Sequence, residues 1–483
     1  MTATLESALA EVLPADALLT TAEEKRPYEC DGLSAYQQIP RVVALPQTRD
    51  EVEAVVKICA QHRVPVIARG AGTGLSGGAL PLAEGCLLSL ARFNRIVAID
   101  PDNRTAIVEP GVRNSAISEA AVSHGLYYAP DPSSQIACSI GGNVAENSGG
   151  VHSLKYGLTV NNVLAAEILT AEGEWLRLGS EALDGPGYDL LALLNGSEGL
   201  LGIIMQITVK LLPIPPTARV VLAAFGAVAD AADAVGGVIG AGIIPAGLEM
   251  MDQLAIEVAE DFSQAGYPRD AAAILLCELD GTPNEVDAQI QKVTELFESH
   301  RATEVRASTS EAERQRFWKG RKSAFPAMGR VAPDYYCIDG TIPRRHLGEV
   351  LQRIAELSEQ YRLPVANVFH AGDGNLHPLI AYDANDDAQL EAAETIGARI
   401  LEHCVEVGGT VTGEHGVGVE KLDQMCVQFA PGELSLFHAI KAAFDPHGVL
   451  NPGKAIPTLH RCAELGAMHV HGGKLPHPEI ERF

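Results

Sequence analysis

Two histidines on either side of a short polar turn are the residues of this chain best suited to bind a metal ion. His370 and His377 flank residues 372–375, and two strands joined by such a turn can present both imidazoles on one side. Glu414 and His415 follow in a second, glycine-flanked segment. Two histidines with one carboxylate form a ligand set for Zn²⁺, Fe²⁺ or Mn²⁺. Because neighbours in an extended chain face opposite ways, we expect His415 to point away from Glu414 and to be free to act as a base.

Other interpretations of these residues stay open. Each histidine taken singly is typical of a hydrogen-bonded core or surface residue, and only the group favours a function. A metalloprotease is not indicated, because the segment is not H-E-x-x-H on a helix. A hydrolase with a serine nucleophile elbow is not indicated either, because the chain contains no G-x-S-x-G.

A glycine-rich stretch at residues 64–78 predicts a loop that binds phosphate. A short apolar run over residues 64–68 is followed by Gly70, Gly72, Gly74, Gly77 and Gly78. Glycine adopts positive φ and lets the backbone approach a ligand closely, and successive N–H groups can form a concavity for an anion. A plain glycine turn is the alternative interpretation.

Part of this stretch, residues 72–77, matches the G-x-G-x-x-G fingerprint of nicotinamide-type Rossmann domains. That fingerprint requires a helix to begin within the loop. Here Pro81 and Gly85 leave no room for a long helix, and residues 86–90 form the next predicted strand. The sequence therefore predicts a strand, a glycine loop and a second strand, and we reject the Rossmann interpretation. Residues 129–150 form a second stretch rich in glycine, serine and asparagine, which we also expect to face a ligand.

The predicted elements around these stretches fall into two modules. Residues 51–62 form a helix with Thr48 and Glu51 as its capping box, and the strands on either side complete a βαβ unit. From Arg219 onward, antiparallel strands and helices predict an α+β sandwich. We expect four parts: an N-terminal helix and linker at 1–36, a cofactor module at 37–216, a substrate module with the metal site at 217–445, and a C-terminal segment at 446–483.

Composition narrows the functional classes. The chain has 483 residues and a formal net charge of −26, which argues against nucleic acid as a partner. Its nine cysteines include no C-x-x-C pair, so neither a zinc ribbon nor a ferredoxin motif is expected. We predict reduced, mostly buried thiols in a cytosolic protein. No apolar run is long enough for a transmembrane helix.

Five motifs together resemble the vanillyl-alcohol-oxidase (PCMH-type) FAD flavoproteins, and most closely the glycolate-oxidising members of their D-2-hydroxyacid dehydrogenase branch. They are residues 69–78, 130–150, 370–377, 413–416 and 451–454, and residues 317–326, 335–343 and 456–469 are also similar to that branch. The resemblance implies an α+β fold class: a PCMH-type FAD-binding domain of two α/β subdomains, a cap domain with an antiparallel sheet, and a C-terminal helical segment.

The resemblance also implies residues that bind FAD. The flavin should be non-covalent, because Thr73 stands where some relatives attach it through histidine. The implied residues of the first stretch are Arg69, Gly70, Ala71, Gly72, Thr73, Gly74, Leu75, Ser76 and Gly77; those of the second are Pro130, Asp131, Ser133, Ser134, Ser139, Gly141, Gly142, Asn143, Asn147, Gly150 and Val151; and Glu198, Gly202, Ile203 and Asn451 complete the set.

The resemblance gives roles to the residues of the metal group as well. His370, His377 and Glu414 match metal ligands, with Zn²⁺ favoured over Fe²⁺ or Mn²⁺ and His415 as the base. Arg321 matches a residue that binds the substrate carboxylate, and Lys319 beside it joins the predicted catalytic set. Two departures, Cys337 in place of a substrate-binding lysine and Phe325 in place of a threonine, are consistent with a smaller acid.

The predicted function is FAD-dependent oxidation of a small 2-hydroxy acid, glycolate or D-lactate. With no cluster-binding cysteines in the chain, electrons should pass from the flavin to partners, which the resemblance implies are a second FAD-type subunit and an iron–sulfur subunit. We expect a cytoplasmic protein, or one held peripherally at the inner membrane by these partners. The alternatives are a stand-alone D-lactate or D-2-hydroxyglutarate dehydrogenase and a non-catalytic flavin-binding assembly subunit.

Overall fold

A computed structural model describes residues 4–182, 185–458 and 461–462. The tail motif at 456–469 therefore lies largely outside the described residues. So do the tail histidines His460, His469, His471 and His477, for which the sequence leaves metal binding open and favours surface or interface positions. The described chain builds three main sheets, two in the first module and one in the second.

The first sheet contains the predicted βαβ unit. Its strands run in the order β1, β2, β4, β3, and β4 pairs parallel with both β2 and β3. The strands and helices of this part are β1 (Leu18–Leu19), β2 (Val42–Ala44), β3 (Val66–Arg69), β4 (Cys86–Ser89), α1 (Leu5–Val12), α2 (Ala22–Lys25) and α3 (Arg49–His62). The predicted capping box of Thr48 and Glu51 is present at the start of α3. No helix interrupts the chain between β3 and β4, so the prediction of a strand, a glycine loop and a strand is confirmed.

The second sheet is antiparallel, with the order β5, β6, β10, β8, β9. A short ribbon pairs β11 with β7. The elements are β5 (Ile96–Asp100), β6 (Thr105–Val108), β7 (Leu126–Tyr127), β8 (Val163–Leu169), β9 (Trp175–Gly179), β10 (Ile203–Lys210), β11 (Leu212–Pro213), α4 (Asn114–Ala121), α5 (Ile140–Glu146), α6 (Ser153–Tyr156), α7 (Thr159–Asn162) and α8 (Leu190–Leu194). Helix α5, which was not predicted, lies inside the stretch that we expected to face a ligand, because Val144 and Ile140 bury apolar side chains against this sheet.

The second module is a seven-stranded antiparallel sheet with the order β15, β12, β14, β13, β17, β18, β16. Its elements are β12 (Thr217–Phe225), β13 (Gly247–Asp252), β14 (Ala273–Gly281), β15 (Ala302–Ala307), β16 (Asp334–Cys337), β17 (Val365–Phe369), β18 (Pro378–Tyr382), α9 (Val228–Gly240), α10 (Gln253–Ser263), α11 (Pro283–Ser299), α12 (Glu311–Ala327), α13 (Leu347–Tyr361), α14 (Asp387–Glu406), α15 (Leu422–Gln428) and α16 (Pro431–Phe444). Helices cover both faces of this sheet, and each face has its own apolar core.

After α16 the chain runs back to the first module. Val66 of β3 accepts the main-chain N–H of Asn451 at 2.9 Å and donates to the carbonyl of Val449 at 2.8 Å. This pairing sets residues 449–451 beside the strand that leads into the glycine loop. The four domain boundaries given above stay predictions.

The cysteines of the described chain are not all reduced. Cys426 and Cys462 form a disulfide, which corrects the expectation of reduced thiols. No spacing motif marks this pair, because the two cysteines are 36 positions apart and meet only in the folded chain. The other seven cysteines are free, and six of them are buried.

No helix in the described ranges is long and apolar enough to cross a bilayer.

Candidate active site

A cavity of about 390 Å³ opens between the two modules. It is lined on one side by the glycine loop after β3 and by the first turns of α5, and on the other by the histidine segment of the second module and the end of α12. The lining residues are Ala68, Arg69, Gly70, Ala71, Gly72, Thr73, Gly74, Leu75, Gly78, Ala79, Leu90, Pro110, Pro132, Ser133, Ser134, Cys138, Ser139, Gly141, Gly142, Asn143, Ala145, Glu146, Ser148, Glu198, Gly199, Gly202, Ile204, Lys322, Phe325, Pro326, His377, Glu414 and His415.

Close backbone approach explains the glycines at the narrow end of this cavity. A Cβ on Gly70 would overlap Ser139 Oγ, and a Cβ on Gly141 would lie 2.6 Å from Pro110 Cβ. Gly72 has φ +71°, a left-handed conformation that favours glycine. Ser139 Oγ also accepts the N–H of Ala71 at 3.2 Å, so the two predicted stretches hold each other. Both stretches line this end of the cavity, and glycine-rich loops of this kind can bind a phosphate group.

The structure brings most of the predicted cofactor residues to this cavity. Those that line it are Arg69, Gly70, Ala71, Gly72, Thr73, Gly74, Leu75, Ser133, Ser134, Ser139, Gly141, Gly142, Asn143, Glu198 and Gly202. Those that do not line it are Ser76, Gly77, Pro130, Asp131, Asn147, Gly150, Val151, Ile203 and Asn451. Sequence motifs did not separate these two groups, because a glycine-rich stretch contains both the residues that face the ligand and those that hold them.

Several of the residues outside the lining support it. Asn451 Nδ2 donates to the carbonyl of Gly78 at 2.9 Å and to that of Glu198 at 2.7 Å. Ser76 Oγ donates to the carbonyl of His415 at 3.0 Å, which connects the glycine loop to the histidine segment. Ile203 belongs to a strand in the apolar core. These residues support the walls of the cavity without lining it.

The predicted metal ligands meet at the other end. The main-chain N–H of His370 donates to Asn375 at 3.1 Å, which closes a tight turn between β17 and β18 and sets the two imidazoles side by side. Glu414 Oε1 lies 2.9 Å from His377 Nε2 and 3.4 Å from His370 Nε2. A tetrahedral ion about 2.0–2.2 Å from each ligand atom separates those atoms by about 3.4 Å. The donor types suit a divalent metal, and the three ligand atoms lie within 4.8 Å of one another, with the Glu414–His370 distance matching this spacing and the Glu414–His377 distance shorter than it.

A carboxylate behind the cluster fixes His370. Glu249 of β13 is 1% exposed and lies 2.8 Å from His370 Nδ1, so the other ring nitrogen, Nε2, is left to face Glu414. Histidines that bind metals commonly donate their second nitrogen to a carboxylate in this way. Burial disfavours the charged imidazole, but the charges of Glu249 and Glu414 outweigh it and raise the pKa of His370 well above its usual value.

Glu414 shows the opposite balance. Burial alone would raise the pKa of this carboxyl, but hydrogen bonds and charge from His370 and His377 hold the pKa well below its ordinary value. The carboxylate form, which is the one that binds metal, is therefore the stable form in this cluster.

A second buried carboxylate positions the segment that carries Glu414. Asp339 is fully buried and accepts main-chain N–H groups from Gly413 at 3.0 Å, Glu414 at 3.1 Å and His415 at 2.9 Å. Lys421 Nζ lies 3.2 Å from the same carboxylate. Burial raises the pKa of Asp339, but the charge of Lys421 outweighs it, and the net shift is downward. A single anion thus gathers three successive amides into a fixed loop.

His415 lies in the cluster rather than pointing away from it, which corrects the prediction from extended-chain alternation. Its ring stacks on that of His377 with centroids 5.0 Å apart, and its Nε2 lies 3.9 Å from Glu414 Oε1. The alternation fails because this segment is not a strand: Gly416 turns the chain with φ +84°. Burial lowers the pKa of His415 to about 4, and its Nδ1 is buried with no hydrogen-bond partner in the described chain. A neutral imidazole with an unused nitrogen can accept a proton.

The two predicted residues of α12 occupy different places. Arg321 is 2% exposed and its Nε–H donates to Glu249 at 3.0 Å, so it lies behind the histidines and does not line the cavity. Lys319 is exposed on the helix and does not line the cavity either, and the structure does not bring it to the site. Lys322, one turn further on, is the lysine of this helix that lines the cavity.

Sequence reasoning missed the residues that support the site. Glu249, Asp339 and Glu146 are buried or partly buried acids that no local pattern distinguishes from surface acids, although Glu146 lies within the motif at 130–150 and Asp339 within the stretch at 335–343. Cys337 was noted as a departure, but its position was not foreseen: with His377 and His415 it forms a second group whose possible ligand atoms lie within 4.8 Å of one another.

Two family descriptions match the chain. Residues 40–179 match the "FAD binding domain" family and residues 214–455 match "FAD linked oxidases, C-terminal domain". Glycolate oxidase subunit GlcD of Escherichia coli (strain K12) is 63% identical over 99% of this chain and 95% of its own. The subunit of the same name from Bacillus subtilis (strain 168) is 40% identical, with coverages of 88% and 91%. A D-lactate dehydrogenase of Archaeoglobus fulgidus is 34% identical, with coverages of 86% and 92%.

Solved structures with the same fold are more distant in sequence. A p-cresol methylhydroxylase with substrate bound superposes with a TM-score of 0.80 at 18% identity, covering 94% of this chain and 97% of its own. An alkyldihydroxyacetonephosphate synthase gives 0.74 at 18% identity, with coverages of 93% and 85%. These likenesses confirm the predicted fold class, a PCMH-type FAD-binding domain joined to an α+β cap.

Proposed function

The chain belongs to the FAD-linked oxidases, the family predicted from its motifs, and we propose that it oxidises glycolate to glyoxylate. The observation that carries the proposal is the 63% identity to a glycolate oxidase subunit over 99% of the chain. The site supports this proposal. The neutral imidazole of His415 lines one end of the cavity together with His377 and Glu414, and residues of the matched FAD binding domain line the other end. FAD, when bound, supplies the ring that accepts the α-hydride of the substrate.

A divalent metal on His370, His377 and Glu414 is part of the proposal, with Zn²⁺ favoured and Fe²⁺ or Mn²⁺ as alternatives. Two observations support it: the three ligand atoms lie within 4.8 Å of one another, and His370 pairs with Glu249. These residues would hold the ion where it binds the substrate hydroxyl and lowers its pKa. His415, the neighbour of Glu414, would then accept the hydroxyl proton on its unused Nδ1.

For the substrate carboxylate we propose Arg321, which lies behind the cavity wall and whose Nε and Nη2 lie 3.0 Å and 2.8 Å from Glu249. Its remaining N–H groups can bind a carboxylate, and the guanidinium carbon lies 6.0 Å from the ring of Phe325, a residue that lines the cavity. Cys337 brings no cation to the cluster, so a second carboxylate on the substrate would lack a partner there. This supports a small monocarboxylic acid.

Electron transfer beyond FAD needs other chains in this proposal. The described chain has no C-x-x-C pair, and its relatives from two bacteria are named as subunits. We propose that a second FAD-type subunit and an iron–sulfur subunit receive the electrons, and that the chain works in the cytoplasm or at the inner membrane through them.

The test is turnover by the purified chain loaded with FAD, with an artificial dye as electron acceptor and with bound metal measured on the same sample. We expect glycolate to give the highest kcat/KM. Faster turnover of D-lactate would favour the second candidate, which rests on the 34% identity to a D-lactate dehydrogenase. A D-2-hydroxyglutarate rate far above that of glycolate would contradict the proposal. If His415→Ala kept full activity in the complex, a non-catalytic assembly role would be favoured instead.

A further inference from the structure

Glu146 is a carboxylic acid in the cavity wall to which none of the predicted roles applies. It is the last residue of α5 and lines the cavity. Its Oε1 faces Gly78 in the glycine loop, and its Oε2 faces Gly416 in the histidine segment, each so closely that a Cβ on either glycine would overlap it. The side chain therefore stands where the cofactor module meets the segment that carries His415.

The carboxyl group has no partner within the described chain. Oε2 is buried and makes no hydrogen bond within the described chain, although leaving a buried polar atom unpaired is unfavourable. The neighbouring acid Glu198 differs, because its two oxygens accept the N–H groups of Val417 and Gly418 at 2.7 Å each. Glu198 is thus satisfied by the protein, whereas Glu146 is not.

Burial, followed by the charge of Glu198, raises the pKa of Glu146 well above its ordinary value. A protonated carboxyl can both donate and accept a hydrogen bond. The polar edge of a flavin ring carries donors and acceptors, and hydrogen bonds to it change the electronic properties of the cofactor. If the narrow end at Gly70 and Gly141 binds the phosphates, as expected, the redox end of FAD lies at the His415 end of the cavity, where Glu146 Oε2 packs against Gly416.

We propose that Glu146 contacts the flavin directly, that its carboxyl group hydrogen-bonds the polar edge of the ring, and that it thereby helps to set the affinity and the midpoint potential of the bound FAD. The proposal rests on FAD binding in this cavity but not on the identity of the substrate.

The test is FAD titration of the purified apoprotein, followed by measurement of the flavin midpoint potential against reference dyes. Glu146→Ala should raise the FAD dissociation constant about tenfold, as expected for one lost hydrogen bond to a buried group, and shift the potential to a more negative value. Glu146→Gln keeps a donor and an acceptor and should stay within about threefold of the unmodified chain. Glu146→Asp, which withdraws the carboxyl by one methylene, should weaken FAD binding and replaces the alanine variant if that variant does not fold.

Glu420→Gln is the matched control. Both oxygens of Glu420 are buried without a hydrogen-bond partner in the described chain, burial raises its pKa to about 7, and it does not line the cavity. It should leave FAD affinity and potential unchanged. An alanine or aspartate variant with unchanged affinity and potential overturns the proposal, and so does a Glu420→Gln variant with the same shifts as Glu146→Ala. If the unmodified chain itself fails to bind FAD, the proposed function fails instead, so the two failures are distinguishable.

Discussion

The cofactor cavity and the histidine cluster share one space but are built in different ways. The narrow end of the cavity is shaped by backbone: Gly70 and Gly141 leave no room for a Cβ, and Ser139 ties the two stretches together. The cluster is shaped by side chains whose positions depend on buried carboxylates, Glu249 behind His370 and Asp339 beneath the segment of Glu414. The cavity should therefore be sensitive to added atoms, and the cluster to lost charges.

The largest effect should come from the proposed base. His415→Asn removes the imidazole that is neutral because burial lowers its pKa to about 4. Loss of a general base typically lowers kcat by about 10²–10⁴-fold, while FAD and metal contents should be unchanged, because His415 is not among the proposed metal ligands. Stopped-flow reduction of the bound flavin by glycolate measures the change.

His403→Asn is the control for this variant. His403 is a partly buried histidine on α14 that pairs with Glu406 at 3.0 Å, outside the cavity, and it should reduce flavin at the unmodified rate. If His415→Asn instead lost its FAD, the cluster and the cavity would form one structural unit, and the distinction between a cavity shaped by backbone and a cluster shaped by side chains would be wrong.

A lost charge behind the cluster should have the next largest effect. Glu249→Gln keeps the shape of the side chain but removes the anion that holds both His370 and Arg321. Substitution of a residue that supports a metal ligand typically lowers metal affinity about 10–100-fold. Competition with a chelator, followed by metal analysis, measures the affinity.

Glu278→Gln provides the matched comparison. Glu278 is a buried glutamate of the neighbouring strand β14, and it pairs with His152 rather than with a proposed metal ligand. Its substitution should leave metal affinity unchanged. Equal loss in both variants would mean that general damage to the sheet, and not the support of His370, causes the effect.

An added atom in the cavity wall should act on FAD alone. Gly70→Ala places a Cβ against Ser139 Oγ, and overpacking of this kind costs roughly 1–3 kcal/mol. We expect the FAD dissociation constant to rise about tenfold, with metal affinity unchanged. Gly236→Ala on α9, where a Cβ meets no atom within 4 Å, should change neither. A Gly70→Ala variant that bound FAD normally would contradict the steric account of the cavity.

The same contrast explains which parts of the molecule could be predicted. The glycine loop, the capping box of α3 and the rejection of a Rossmann fold followed from local sequence, because turn and cap preferences act within a few residues. Helix α5 was missed, since glycines are poor helix formers, whereas the burial of Ile140 and Val144 against a sheet distant in sequence stabilises this helix.

In the cluster, the ligand types were predicted but their supports were not. Glu249 lies about 120 positions before His370 and meets it only because β13 and β17 are neighbours in the sheet. The orientation of His415 was wrong because a strand was assumed where Gly416 makes a turn. Strand order and glycine φ angles are tertiary properties, so the sequence of a single segment does not determine them.

The smallest predicted effect lies at the junction of the two modules. His152 Nδ1 lies 3.0 Å from Asp131 of the first module, and its Nε2 lies 3.1 Å from Glu278 of β14. Arg314 of α12 reaches the same glutamate at 2.8 Å. Burial disfavours the imidazolium, but the two carboxylates outweigh it and raise the pKa of His152 well above its usual value.

The sign of the pH dependence follows from this raised pKa. The folded protein binds a proton on His152 more tightly than the unfolded chain does, so the stabilisation is complete below about pH 6.5, the value for an unperturbed histidine. It is lost as the pH rises through the folded-state pKa. The difference in thermal midpoint between the unmodified chain and His152→Asn should therefore be larger at pH 6 than at pH 9, by about 1–3 °C. His346→Asn, which alters a solvent-accessible pair with Glu349, should show no such trend. A difference that grew toward pH 9 would mean that the neutral imidazole, and not the ion pair, joins the two modules.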